Sequence, residues 1–179
     1  MKVALIRGDF ANPWELQNFE PLNNKNDLTL FNGYYPISSI DSIKITTKHL
    51  LSPVDVNLGK ISRNKMAILN RLFIDAHQLM GLENELKGYD IAHTAESYFG
   101  FTNQALKAKL NGNVKKLNST IWENNPYNNE TIHGRKQYKQ FAHKNIDLFL
   151  PVTEKGKQSL IMEGVNKDKI VVLRPGVDI

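Results

Sequence analysis

Short apolar segments of strand type alternate with segments of helical periodicity along this chain of 179 residues. This alternation at βα spacing is typical of a mostly parallel sheet with right-handed crossovers and helices on both faces. The sequence therefore predicts an α/β domain of three layers with about six to seven strands. The predicted strands are residues 3–6, 27–31, 43–46, 89–94, 114–121, 147–150 and 169–173, and the predicted helices are residues 63–80, 102–110, 131–144 and 155–164.

Several local signals refine these elements. Residues 43–46 alternate in polarity and predict a weaker edge strand, and Gly81 is predicted to end the helix 63–80. Thr153 is expected to be the N-cap of the last helix, and Gly164 is expected to end it. The predicted loops are residues 8–13, 23–26, 33–39, 53–59 and 123–130.

Composition and missing motifs exclude several classes of function. Apolar residues make up 41% of the chain, which is typical of a globular protein, and no segment approaches the roughly 18 apolar residues of a membrane span. The chain has no cysteine, so disulfides and thiolate metal sites are excluded. It also has no P-loop, GxGxxG, HExxH or GxSxG motif. The short N-terminal strand does not resemble a signal peptide, so we expect a cytoplasmic protein.

The net charge is +5, and the segment 107–144 alone carries +6, so the rest of the chain is nearly neutral. Its acidic residues are only Glu123 and Glu130. Two interpretations remain open, a solvated helix face and a surface for anionic phosphates of lipid head groups or a nucleotide. No nucleic-acid-binding motif occurs, so nucleic acid is not an expected partner. The basic residues are Lys107, Lys109, Lys115, Lys116, Arg135, Lys136, Lys139 and Lys144.

Ligands of parallel sheets bind outside the carboxyl ends of the strands, and the first predicted strand is followed there by Arg7, Gly8 and Asp9. Gly8 allows the backbone to approach a ligand closely, and Arg7 is suited to hold a phosphate. His93 lies near the end of a later strand, with Glu96 just beyond it. The alternative for His93 is a buried structural histidine that is hydrogen-bonded to the backbone.

A second set of candidates follows the strand that ends at Ile121. Glu123 and Asn124 stand beside Trp122, and a carboxylate and an amide next to an indole ring suit the hydroxyls and the ring face of a sugar. The alternative for Glu123 is a loop residue that caps the segment after it.

The second half of the chain resembles the end of the N-terminal domain of retaining glycosyltransferases of the GT-B fold, family 4 type. The resemblance rests on residues 147–154, Leu160, residues 164–165, residues 169–173 and the Pro-Gly-Val-Asp sequence at 175–178. It implies two Rossmann-like domains that face each other across a cleft. It also implies transfer of a hexose from a nucleoside-diphosphate sugar with retained configuration and without a bound metal. The donor half of that family carries a Glu-x7-Glu motif, and this chain has none.

The resemblance further implies that residues 1–170 are the N-terminal, acceptor-binding half and that residues 171–179 begin an interdomain linker. The C-terminal donor-binding domain is then absent, and the isolated chain is expected to be inactive and to bind no cofactor. The expected acceptor is a sugar or a lipid-linked sugar, with peripheral contact at the inner face of the membrane. The implied catalytic residues are His93 and Glu123, and the implied acceptor contacts are Arg7, Gly8, Asp9, Glu96 and Asn124.

Two other functions remain open from the sequence. One is a stand-alone Rossmann-like binding or regulatory module without catalysis. The other is a basic protein that binds a membrane surface or a nucleic acid through its charge, with salt-sensitive affinity.

Overall fold

A computed structural model describes residues 1–55, 68–69 and 72–176, and it confirms the α/β fold. All six strands of the sheet are parallel, in the order β3-β2-β1-β4-β5-β6. The strands are β1 (Lys2–Ile6), β2 (Asp27–Asn32), β3 (Thr46–His49), β4 (Tyr89–Ala95), β5 (Val114–Ile121) and β6 (Leu148–Pro151). The helices are α1 (Pro13–Leu16), α2 (Leu82–Glu85), α3 (Gly100–Leu110), α4 (Arg135–Asn145) and α5 (Glu154–Met162).

The two faces of the sheet are covered differently. Ala4 and Ile6 of β1 belong to the larger apolar core, to which α2 to α5 also contribute. Leu5, one residue out of phase, belongs to a smaller core on the other face, because successive strand residues point to opposite faces. There the covering consists of the short helix α1 and irregular segments, with Leu16 and Ile45 buried. The three layers are therefore unequal.

The end signals of the last helix are confirmed. The Thr153 hydroxyl accepts the backbone N–H of Gly156, which satisfies a free donor of the first turn. Gly164 has a φ of +86°, and its N–H and that of Val165 donate to the carbonyls of Ile161 and Leu160. This pair of bonds is the Schellman arrangement that a glycine stop predicts.

The prediction of one helix over residues 63–80 agrees with residues 68–69 and 72–73 and is wrong from residue 74 onwards. Residues 68–69 and 72–73 have helical backbone, but residues 74–80 do not, and residues 56–67, 70 and 71 lie outside the described part. Ile74 has a φ of +62°, and Asp75 turns inward to accept the N–H of Gly100 and to pair with Arg135. These tertiary contacts override the local periodicity. Gly81 precedes α2 with a φ of +81° instead of ending a long helix.

Three other boundaries differ from the predictions. The edge strand is shifted from 43–46 to β3, because Ile43 and Ile45 pack into the smaller core instead of pairing, but its edge position is confirmed. The predicted helix 131–144 begins only at Arg135, after Gly134 at a φ of +78°. The predicted strand 169–173 forms one bridge, from Ile170 to Phe149, rather than a ladder.

Candidate functional site

A cleft of about 720 Å³ opens at the carboxyl ends of β1, β4 and β5, where a parallel sheet is expected to bind ligands. Its floor carries polar side chains, and most of the rest of its lining is apolar or aromatic. The lining residues are Arg7, Phe10, Ala11, Asn12, Trp14, Glu15, Ile37, Ser38, Ala95, Glu96, Tyr98, Phe99, Trp122, Pro175 and Gly176.

The short helix α1 supplies two of these residues, Trp14 and Glu15, whose side chains point in opposite directions. The Asn12 side chain accepts the N–H of Glu15 at 2.9 Å, and Pro13 occupies the first helical position. Both features start a helix efficiently. Trp14 then points outward with 70% of its surface exposed, while Glu15 points inward and is buried. The sequence prediction placed residues 8–13 in a loop and included Trp14 in the candidate segment after β1, but it missed Glu15 and the helix, although Asn-Pro is a recognisable helix start.

Arg7 lies under the floor of the cleft and is fully buried. Its Nη2 lies 2.8 Å from Glu15 Oε1, and its Nε donates to the same oxygen at 3.0 Å. Its Nη1 donates to the carbonyls of Ile6 and His93. The guanidinium is thus held by protein groups on several sides. Its position is suited to anchoring Glu15 beside the cleft.

Gly8 and Asp9 shape the wall behind the floor. Gly8 has a φ of +54°, and a Cβ there would lie 3.1 Å from the ring of Phe101. Asp9 is buried, with its Oδ2 3.5 Å from Nδ1 of His77 and its Oδ1 packed against Gly33 so closely that a Cβ on Gly33 would overlap it. Neither Gly8 nor Asp9 is part of the cleft lining given above.

Glu96 follows β4 and does line the cleft. It has a φ of +56°, an uncommon value for a residue with a side chain, which turns the chain sharply at this point. Its Oε1 accepts the N–H groups of Trp122 and Glu123 at 2.8 and 3.0 Å. Burial raises the pKa of this carboxyl to about 7, and the two N–H groups only partly offset that rise.

Glu123 and Asn124 lie beyond Trp122 and do not line the cleft. Glu123 Oε1 accepts the N–H groups of Asn124 and Asn125, which is the capping role that the sequence left as the alternative. Asn124 Oδ1 accepts the hydroxyl proton of Thr153, at the start of α5. Both residues therefore hold the loop between β5 and α4 and its contact with α5.

His93 lies inside β4, away from the cleft lining. Its Nε2 is 2.9 Å from the Thr120 hydroxyl, and its ring meets the edge of Phe19 at 5.0 Å. Burial, together with the nearby Arg7, lowers the pKa of the imidazole well below its usual value, so the ring is neutral at pH 7. The environment matches a structural histidine, although its partner is a side chain rather than the backbone.

Three aromatic residues of the cleft lining, Phe10, Tyr98 and Phe99, form one cluster. The rings of Phe10 and Phe99 stack at 4.7 Å, and Tyr98 lies 4.8 Å from Phe99. Arg135 stacks over Tyr98 at 5.0 Å from the ring centre. Among the aromatic lining residues, sequence reasoning assigned a sugar contact only to Trp122. The other rings come from segments that are far apart in sequence, so no local pattern joins them.

The basic segment 107–144 is largely neutralised in the structure. Lys109 and Lys116 pair with Asp147, and Lys115 pairs with Asp90. Arg135, Lys136 and Lys139 also have carboxylate partners. These pairs speak against a dedicated phosphate surface, but the segment is not one solvated helix face either, because Arg135 and Lys139 are buried and Lys115 and Lys116 lie on β5. Within the described part of the chain, no helix is both long enough and apolar enough to cross a bilayer.

No protein-family model and no curated protein matches the sequence, but solved structures share the fold. HepE of Anabaena in complex with UDP and glucose matches with a TM-score of 0.66 and 10% identity, over 99% of this chain and 45% of that one. The UDP-GlcNAc 2-epimerase of Methanocaldococcus jannaschii matches with a TM-score of 0.59 and 13% identity, over 96% and 45%. MnaA of S. aureus in a structure with UDP matches with a TM-score of 0.58 and 15% identity, over 96% of this chain and 43% of that one.

This chain spans less than half the length of these structural relatives. At identities of 10 to 15%, the likeness speaks for the fold alone. It supports a Rossmann-like domain of the GT-B type.

Proposed function

We propose that this chain is the acceptor-binding half of a nucleotide-sugar-dependent hexosyltransferase in glycolipid, polysaccharide or glycan synthesis. The cleft carries the proposal, because it combines exposed indole rings with a buried carboxylate. A pyranose ring has an apolar face, which stacks on Trp14 or Trp122, and hydroxyls, which donate to Glu96. The transfer retains configuration and needs no bound metal, as in the family that the sequence resembles.

The structural relatives support the part of this proposal that concerns a nucleotide-sugar donor. Their names include complexes with UDP and with UDP-glucose, and they are about twice as long as this chain. A nucleoside-diphosphate sugar is then held by a C-terminal donor-binding domain, and the two halves enclose the reacting groups. Within this chain, Glu96, Trp14 and Trp122 contact the acceptor.

The remaining predicted residues then have supporting roles. Arg7 positions Glu15 through the buried ion pair, and Gly8 and Asp9 shape the wall behind it. His93, Glu123 and Asn124 hold β4, β5 and the start of α5 in register. This division differs from the sequence-based expectation that His93 and Glu123 are catalytic.

A second candidate is one half of a sugar-nucleotide epimerase, and the likeness to UDP-GlcNAc 2-epimerases favours it. The two reactions differ in one requirement, since an epimerase needs no acceptor. In a two-domain protein that contains this chain, conversion of UDP-GlcNAc alone would favour the epimerase. Conversion only in the presence of an added saccharide would favour the transferase.

The acceptor role can be tested on the chain itself by tryptophan fluorescence. The chain has two tryptophans, Trp14 and Trp122, and both line the cleft, so the emission reports on binding there. We expect mono- and disaccharides to change the emission saturably, and UDP and UDP-glucose to leave it unchanged. Saturable binding of UDP-glucose with no response to any saccharide would overturn the acceptor assignment.

A further inference from the structure

An apolar pocket of about 310 Å³ lies beside the cleft, on the face of the sheet that the long helices leave free. Leu22 and Leu173 at this pocket are 50% and 44% exposed, which is unfavourable for apolar side chains in water. The hydrophobic side chains that line it are Phe19, Leu22, Trp122, Val152, Leu173 and Pro175.

This pocket and the cleft share one boundary. Glu15, Trp122 and Pro175 line both spaces, so the pocket adjoins the cleft at Trp122. Past Phe19 and Leu22 the apolar surface continues into a further space of about 220 Å³. A linear group longer than the pocket therefore has room along the same face.

The charged groups at the boundary do not oppose an apolar occupant. Glu15 is paired with the buried Arg7 at 2.8 Å, so it presents no unpaired charge. Arg174 stands at the rim, with its side chain 77% exposed and its Nη2 3.7 Å from Glu154 Oε1. A cation there suits an anionic linker between a sugar and a hydrocarbon chain.

We propose that this pocket is a subsite for the hydrocarbon chain of an amphiphilic acceptor, whose sugar occupies the cleft. The inference rests on the proposed function, because a sugar bound in the cleft would place its attached hydrocarbon chain at Trp122. Because the two spaces adjoin at Trp122, an acyl or isoprenyl chain attached to the acceptor fits the pocket better than a free hydrocarbon does. This subsite narrows the acceptor from any saccharide to a lipid-linked one.

The test uses n-alkyl β-D-glucosides from methyl to octyl, below micelle-forming concentrations, with tryptophan emission as the readout. Each methylene that leaves water in the pocket is expected to tighten the Kd up to about fourfold. The Kd should therefore fall steadily with chain length until the pocket is full. Equal Kd values for the methyl and octyl glucosides would overturn the subsite while leaving the saccharide site intact.

A matched pair of variants tests whether the alkyl chain of the glucoside occupies this pocket. Leu22→Asn places an amide in the pocket, and Leu51→Asn makes the same change at a leucine of similar exposure outside it. We expect Leu22→Asn to weaken octyl glucoside about tenfold with no effect on methyl glucoside, a partial loss of the burial energy. Leu51→Asn should change neither. Equal losses of octyl glucoside affinity in the two variants would also refute the subsite.

Discussion

Glu96 accepts the backbone N–H of Trp122 at 2.8 Å, and this bond ties the end of β4 to the residue that separates the cleft from its apolar neighbour. The same oxygen accepts the N–H of Glu123, so one carboxylate fixes two consecutive residues after β5. Glu96 therefore links the acidic floor of the cleft to its aromatic wall.

The raised pKa of Glu96 predicts a specific pH dependence of stability. Because its pKa is near 7 in the folded state and 4.5 in the reference state, the folded protein binds the extra proton, and stability falls as pH rises between these values. Glu96→Gln removes this proton but keeps an oxygen that accepts the same N–H groups. As the pH rises from 5 to 8, we expect the unfolding free energy of the variant to increase by about 2 kcal/mol relative to that of the wild type.

Urea denaturation of both proteins at pH 5 and pH 8 measures this gain. A difference in unfolding free energy that is the same at both pH values would show that Glu96 has an ordinary pKa.

The buried pair of Arg7 and Glu15 should behave as a unit. Arg7→Met leaves the Glu15 carboxylate without its partner, and we expect a loss of about 3–5 kcal/mol in unfolding free energy. Arg7→Met combined with Glu15→Met removes both charges, and the double variant should recover a large part of that loss. A double-mutant cycle by urea denaturation gives the coupling energy, and strictly additive losses would contradict the account.

The ion pair of Lys139 tests whether burial increases the contribution of an ion pair to folding stability. The Lys139 side chain is almost fully buried and pairs with the equally buried Glu163, whereas Lys115 pairs with Asp90 at the surface. Lys139→Met removes the cation that pairs with Glu163 and leaves this buried carboxylate with the N–H of Tyr127 and the nearby His143 ring, and we expect a loss of about 3 kcal/mol. Lys115→Met is the control and should leave the thermal midpoint unchanged. Similar midpoints for the two variants would refute the distinction.

Gly33 is predicted to be required for the position of Asp9. Gly33→Ala introduces a Cβ that overlaps Asp9 Oδ1, and the displacement should cost about 1–3 kcal/mol of unfolding free energy. Gly176→Ala is the control, since its nearest neighbour would be Asn18 Oδ1 at 3.9 Å. If both variants unfold at the wild-type urea concentration, the contact between Asp9 and Gly33 is not tight.

Much of the fold could be predicted because its signals are local. The alternation of apolar strands and helices gave the parallel sheet, and Thr153 and Gly164 gave both ends of α5. The helix predicted over 63–80 failed at Ile74, where the backbone turns so that Asp75 reaches Gly100 and Arg135. Contacts between residues so far apart in sequence cannot be predicted from the pattern of a short sequence segment.

The candidate site could be predicted only in part for the same reason. The carboxyl-end rule placed Glu96 and Trp122 correctly near one cleft, because it depends only on strand direction. It could not tell that Glu123 turns back onto Asn124 and Asn125, or that His93 faces Thr120. The direction of Glu123 depends on the turn after β5, and the neighbour of His93 depends on how β4 pairs with β5, and neither can be read from a local sequence pattern.

The most direct test of the saccharide site follows the two indole N–H signals of Trp14 and Trp122 by 15N NMR during a saccharide titration. Trp14→Phe and Trp122→Phe assign the two signals and serve as controls for each other. A saccharide in the cleft is predicted to shift both signals along one saturating curve, because both rings line the same space. Saccharide binding that leaves both indole signals unmoved would contradict the acceptor site at this cleft.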